Sequence, residues 1–297
     1  MPNTLAHMGV QALATRAAVP GAAPGWIWLG CIIPDLPWIG QRAARMLLPD
    51  LSPIDVRLFA VAQSSLLFCL VAAGAFACLA RRPGQVFAVL SLGAVLHLAL
   101  DATQTKWGNG VVLLLPFDWR VVNAGLYWPE DLATLLLTVL GGGVFLWAAL
   151  RWRGSDPGGA GHRRPWPAAG MAAVWLLGPL AAMGALERAG AHGADVLRET
   201  DRREGRAIAF DRARLLPDAD GTARLHVWTG EALDIHGLAT DPPAGTVSVR
   251  GRFTGPAALR VEALHVHRAG WRDAMSYLGL ALAMLWWMAE GFRRMRH

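Results

Sequence analysis

Four ionisable residues stand in stretches that are otherwise apolar or small: His7, Asp35, His97 and Asp101. Charge in such a run is costly, so each position is a candidate functional site. His97 and Asp101 lie four apart in LHLALDATQTKWG. On a helix that spacing puts imidazole and carboxylate on one face, close enough to share a metal ion. The same spacing also suits a hydrogen-bonded His–Asp pair that braces helices. Asp35 lies between Pro34 and Pro37, where a carboxylate serves either as a ligand or as a helix cap. His7 lies in the mildly amphipathic MPNTLAHMGVQALA, and by itself reads as an ordinary surface or core histidine. Taken together, two His and two Asp supply N and O donors suited to a divalent metal, Zn²⁺ first and Mn²⁺ second. Water on such an ion becomes a nucleophile near neutral pH. Asp35, His97 and Asp101 are then the candidate catalytic residues, and His7 completes the candidate metal set.

The elements that must position these residues are mostly apolar. Hydrophobic residues make up 54% of the 297-residue chain and charged residues 17%, well below the roughly 25% of soluble domains. Five segments have the length and composition of membrane-spanning helices: about 59–79, 86–103, 132–150, 166–186 and 275–292. A sixth, 26–39, reads WIWLGCIIPDLPWI and is broken by Pro34, Asp35 and Pro37. Broken backbone at membrane depth is tolerated where it packs in protein or lines a wet cavity. The 14 Trp fit anchoring at membrane interfaces. Among the basic residues only Lys106 is lysine. Arg81 and Arg82, then Arg151, Arg153, Arg163 and Arg164, then Arg293, Arg294 and Arg296 form three basic clusters. Placing all three in the cytoplasm gives a consistent alternation and a cytoplasmic C-terminus. The side of the N-terminus stays open, and no cleavable leader is expected there. Cys31, Cys69 and Cys78 lie in apolar runs without metal or disulfide spacing. The Arg residues are spread over loops, so no nucleic-acid partner is expected.

Between about 203 and 267 the pattern changes. RAIAFDRARLL, ARLHVWTGEALDIHGL, TVSVRGRF and ALRVEALHVHR alternate partially and are separated by Gly and Pro, as four or five short strands would be. They predict a small OB-like barrel. The polar run 190–204 reads as a linker helix, and 154–165 as a loop. The expected fold is thus mainly α: a polytopic membrane helical bundle, with a small extracytoplasmic all-β domain inserted before the last transmembrane helix. Its expected divisions are 1–150, a membrane-embedded helical domain; 151–190, a cytoplasmic loop and a transmembrane helix; 191–270, the barrel; and 271–297, the last helix and basic tail.

The N-terminal His, GCIIPDLPW and HLALDATQTKWGNGVVLLLPFDW together resemble the bacterial LexA-binding, inner-membrane-associated metal-dependent hydrolase family. Its early His, Gly-x-x-x-Pro-Asp segment, helical His-x-x-x-Asp, following Thr and Gly, and Leu-x-Pro-Phe stretch are similar to His7, Gly30 to Asp35 with one extra residue, His97, Asp101, Thr103, Gly108 and Leu114 to Phe117. The similarity covers about 1–150. It implies kinship with the zinc-dependent phospholipase C and nuclease superfamily, a bacterial inner-membrane location, and hydrolysis of phosphoesters. The family's His-Arg-Gly-x-Thr-His-Ser segment is not kept. Ser64 matches its Ser, Gln63 replaces its second His, and two ligands are missing. Glu130 and Asp131 in YWPED are candidate replacements, or simply acidic residues favoured at a helix start.

His265 and His267 in HVH share a strand face, and read as a metal pair or as a solvated face. The leading expectation is a membrane-bound metal-dependent phosphoesterase whose substrate is a lipid headgroup or another phosphoester. The second is a non-catalytic membrane scaffold or assembly protein whose β domain binds a protein partner. A transporter ranks third, because no internal duplication is visible.

Overall fold

The computed structural model describes residues 3–151, 164–217, 223–238, 244–268 and 270–295. Ten helices of four residues or more come first. They are α1 (Thr4–Ala18), α2 (Pro24–Ile32), α3 (Leu36–Leu47), α4 (Pro53–Gln63), α5 (Leu66–Cys78), α6 (Pro83–Thr103), α7 (Leu132–Arg151), α8 (Pro165–Leu177), α9 (Pro179–Arg188) and α10 (Ala194–Arg198). Five strands follow, and then α11 (Trp271–Met295). Proline opens α2, α4, α6, α8 and α9. The first turn of a helix has no internal partner for its N–H groups, so proline costs nothing there.

Three helical segments are long and apolar enough to cross a membrane: Pro83–Thr103, Leu132–Arg151 and Pro165–Arg188. The span expected at 59–79 is divided between α4 and α5, which together are long and apolar enough to cross but are bent by 65°, as a broken span or a re-entrant loop. The bend falls at Ser64 and Ser65, where the Ser64 hydroxyl donates to the Val61 carbonyl at 3.1 Å and so competes with the helix ladder. Residues 26–39 also break, into α2, a 3₁₀ turn (Ile33–Asp35) and α3. The last helix forms, but with Arg272, Asp273 and Glu290 it falls short of the apolarity of the other three. The loop expected at 154–165 lies almost wholly outside the described residues, as do Arg153, Arg163 and Arg296.

α1 lies against α7 at a backbone crossing. A Cβ on Gly141 would sit 1.8 Å from the Leu5 carbonyl oxygen, and one on Gly9 2.5 Å from the Gly141 Cα. Only hydrogen fits at either position. Asn3 caps α1 by accepting from the Ala6 N–H at 3.1 Å, and donates to Thr138 of α7 at 2.7 Å. These contacts fix the depth at which His7, one turn further along α1, enters the bundle.

The strands β1 (Ala207–Pro217), β2 (Ala223–His226), β3 (Ala232–His236), β4 (Gly245–Phe253) and β5 (Ala258–Val266) close into a barrel in the order β1-β2-β3-β5-β4. All neighbours are antiparallel except β3 and β5. The expected small barrel is therefore present, with the second predicted strand divided into a β2–β3 hairpin. Between Phe210 and Ala213 the pairing of β1 with β4 slips, and Arg212 takes a positive φ of 56°. Such a bulge re-aims side chains locally, here Asp211 and Arg212. The run 190–204 is more than a linker. Its two 3₁₀ turns and α10 bury Ala191, His192, Val196 and Leu197. One apolar cluster thereby continues from Leu58 of α4 and Leu186 of α9, through Leu197, to Phe210, Leu233 and Leu259 in the barrel.

Candidate metal centre

α1, the 3₁₀ turn after α2, and α6 converge on one buried polar cluster. His7 and His97 have no measurable exposure, and Asp101 is 4% exposed. Their rings stack at 3.8 Å with planes 6° apart. His97 Nδ1 lies 2.7 Å from the Cys31 carbonyl oxygen. A carbonyl only accepts, so Nδ1 carries the proton, and the Nε2 of the neutral ring presents a lone pair. The local sequence explains why that carbonyl is available: Pro34 has no N–H to return to Cys31 in a 3₁₀ turn. A ligating histidine is ordinarily oriented through such a second hydrogen bond.

His97 Nε2 faces Asp35 Oδ1 at 3.6 Å and Asp101 Oδ2 at 3.9 Å, while His7 Nε2 faces Asp101 Oδ1 at 3.4 Å. These separations are long for hydrogen bonds. Donors held about 2.0–2.2 Å from a tetrahedral Zn²⁺ lie roughly 3.3–3.6 Å from one another. Both ring nitrogens of His7, Nε2 of His97 and Oδ1 of Asp101 are buried without a hydrogen-bond partner. Unpaired polar atoms of this kind are rare in folded proteins. The donor set and its spacing fit a divalent cation held by His7, His97 and Asp101, with Asp35 at its edge.

Lys106 was singled out in the sequence only as the sole lysine. It is 4% exposed, and its Nζ lies 3.4 Å from Asp101 Oδ2. Its uniqueness in a chain that otherwise uses arginine, five residues past Asp101, is the signal that could have drawn it in. The cluster thus carries two carboxylates, two imidazoles and one ammonium.

The remaining candidates lie elsewhere. Gln63 Nε2 donates to the Trp175 carbonyl at 2.9 Å, and Ser64 ends α4. Neither joins the cluster, because the break between α4 and α5 spends both side chains on backbone carbonyls. Asp131 accepts from the Trp128 N–H at 2.8 Å, just before α7. Glu130 turns to the barrel: its Oε1 is 2.7 Å from His267 Nδ1 and its Oε2 is 3.6 Å from His265 Nε2. Burial raises the Glu130 carboxyl, but the hydrogen bond and charge of His267 outweigh it and leave it below the ordinary carboxylate value. Burial, and then the neighbouring His267, lower His265.

The loop 104–131 carries Glu130 to this place. Gly108 has φ +67°, and a Cβ there would lie 1.9 Å from the Ala209 carbonyl oxygen of β1. Asn109 donates to Asp211 at 3.0 Å. The end of α6 that bears Asp101 and the barrel are therefore on the same side of the helices. Comparison with protein-family models, with curated proteins and with solved structures finds no match to this chain.

Proposed function

We propose that the protein is a membrane-bound, metal-dependent hydrolase of phosphoesters, with a lipid headgroup as the substrate class its position suits. The observation that carries this reading is the locked tautomer of His97. Its Nδ1–H is committed to the Cys31 carbonyl, and its Nε2 faces carboxylate oxygens at 3.6 and 3.9 Å across a buried gap, without a hydrogen-bond partner. His7, His97 and Asp101 would hold the ion, which lowers the pKa of a bound water and polarises a phosphoryl oxygen. Asp35, at 16% exposure of its side chain, is the most accessible member of the set and the carboxylate best placed to take a proton. Lys106 sets an ammonium beside Asp101, where charge grows on a phosphoryl oxygen.

A membrane location is supported by the three long apolar helices and by outward-facing side chains such as Leu136, Val139 and Leu177, each at least 60% exposed. Arg81 and Arg82 precede α6, Arg151 ends α7 and Arg164 precedes α8, all at the end of the helices away from the barrel. The bias of basic residues towards the cytoplasm then puts the barrel outside a bacterial inner membrane. The end of α6 that bears Asp101 lies on the barrel side, so an amphiphile would present its headgroup there with its tails in lipid.

The experiment is elemental analysis of detergent-purified protein. About one zinc or manganese ion at this centre, lost in His97→Ala and Asp101→Ala while both variants stay monodisperse, supports the reading and directs assays to phospholipids and other phosphoesters. Absence of this metal after reconstitution transfers the cluster to the scaffold reading, for which the buried Lys106–Asp101 pair is the specific support.

A further inference from the structure

We infer a second divalent-metal site, between the barrel and the 104–131 loop, held by Glu130, His265 and His267. The argument is a count of hydrogens. Ser248 is fully buried, and its hydroxyl donates to Asp211 Oδ1 at 3.0 Å. The other Asp211 oxygen is occupied by Asn109 at 3.0 Å. With its one hydrogen spent, Ser248 Oγ only accepts, from the Arg212 N–H at 3.2 Å and from His267 Nε2 at 2.8 Å. Nε2 of His267 therefore carries the proton, and in the neutral ring Nδ1 aims a lone pair at Glu130 Oε1, 2.7 Å away. Two acceptors meet there, and a cation must stand between them, either a second proton or a metal.

A proton repairs only that contact. His265 Nε2 and Glu130 Oε2 remain 3.6 Å apart, both buried and without a hydrogen-bond partner. One divalent ion bound to His265 Nε2, His267 Nδ1 and a Glu130 oxygen satisfies all three groups, whose ligand atoms already lie within 4.8 Å of one another. Binding widens the 2.7 Å contact towards the roughly 3.3 Å edge of a tetrahedral zinc site. Three N and O ligands leave a fourth position for water or an incoming anion.

The surroundings are built for orientation. The His267–Ser248–Asp211 chain fixes one ligand ring from behind, as the outer hydrogen bonds of metal sites do. Trp128 stacks on His265 at 3.6 Å with planes 4° apart, which fixes the other. Arg212 is the competing cation. Its Nη1 lies 3.9 Å from Glu130 Oε1, but its Nη2 is drawn to Asp273 at 3.6 Å. The site ties the barrel to the segment leaving α6, so an ion there would fix the barrel against the segment that follows Asp101 and Lys106.

The test uses the full chain in detergent, stripped with chelator and titrated with Co²⁺, whose visible absorption reports N and O ligation. The background is His97→Ala with Asp101→Ala, so the result is independent of the helical centre. One Co²⁺ per chain in that background, lost with His265→Ala and retained with His226→Ala, is expected; His226 is an exposed strand residue. Glu130→Gln keeps the shape and removes the charge, and is expected to weaken binding at least tenfold. Ser248→Ala should weaken it by about 10–100-fold. A monodisperse background protein that takes up no Co²⁺, or the same uptake after both His265→Ala and Glu130→Gln, overturns the proposal. If the helical centre also binds metal, the wild type takes up one ion more than the background. If it does not, the two are equal.

Discussion

Two buried polar centres of this protein are opposites. Arg203, 1% exposed beneath the barrel, is saturated. It donates to both Glu231 oxygens at 2.6 and 3.0 Å, to the Pro256 carbonyl at 3.0 Å, to the Val196 carbonyl at 3.3 Å and to the Leu197 carbonyl, and it lies over the Phe253 ring. The helical cluster is equally buried, yet four of its atoms have no partner. A buried charge is tolerated when each hydrogen and lone pair is matched. Arg203 meets that condition from within the chain and is structural. The His–Asp cluster leaves four atoms without a hydrogen-bond partner, which is the pattern of a candidate binding site rather than of a saturated brace.

The largest effect that sharpens this contrast is expected from Arg203→Ala. It leaves Glu231 and three carbonyls unmatched, and should cost about 3–5 kcal/mol. Hydrogen exchange of the β1–β5 amides checks it: the barrel opens, while metal bound at the helical centre is retained. If the same loss of protection follows His97→Ala in metal-free protein, the contrast fails.

Next in size is the effect of the ion itself. Zinc at about 100 times its dissociation constant should stabilise the α1–α7 core by about 2.7 kcal/mol. Denaturant titration with and without zinc, in a Glu130→Gln, His265→Ala background that removes the second site, measures the increment, which should vanish when His97→Ala is added. An equal increment in that variant would place the ion elsewhere.

Asp35→Asn should be milder for binding than for chemistry. As an edge carboxylate it is expected to leave metal content near that of the wild type, while phosphoester turnover falls by about 10²–10⁴-fold, the usual contribution of a general base. A proportional loss of both would make Asp35 a primary ligand. The smallest effect is expected from Arg252→Ala. Its pair with Glu262, at 3.7 Å with both side chains more than half exposed, should contribute no more than about 0.5 kcal/mol. Thermal unfolding of the variant provides the baseline for the other substitutions.

Much of the helical centre is legible in the sequence. The four-residue spacing of His97 and Asp101 places both on one face of α6 because the helix period requires it. Pro34 and Pro37 announced the break that sets Asp35 beside them. Alternation and Gly-Pro punctuation marked the barrel, though they left open whether the stretch that forms β2 and β3 is one strand or two. Other features were hidden for physical reasons. The Ser64–Ser65 break lies inside an apolar run whose composition outweighed two hydroxyls. Lys106 pairs with Asp101 through the chain's turn after α6, which no period describes.

The sequence by itself determined local elements: where helices start at proline, three of the stretches long and apolar enough to cross a membrane, and which His and Asp share a helix face. These follow from rules that act over a few residues. Only the tertiary structure decided which polar atoms remain unmatched. His97 acquires its tautomer from Cys31, 66 residues away, and Glu130 meets His267 across 137. Hydrogen-bond satisfaction is a property of groups brought together through space, so the line between a braced core and a ligand site is drawn by packing.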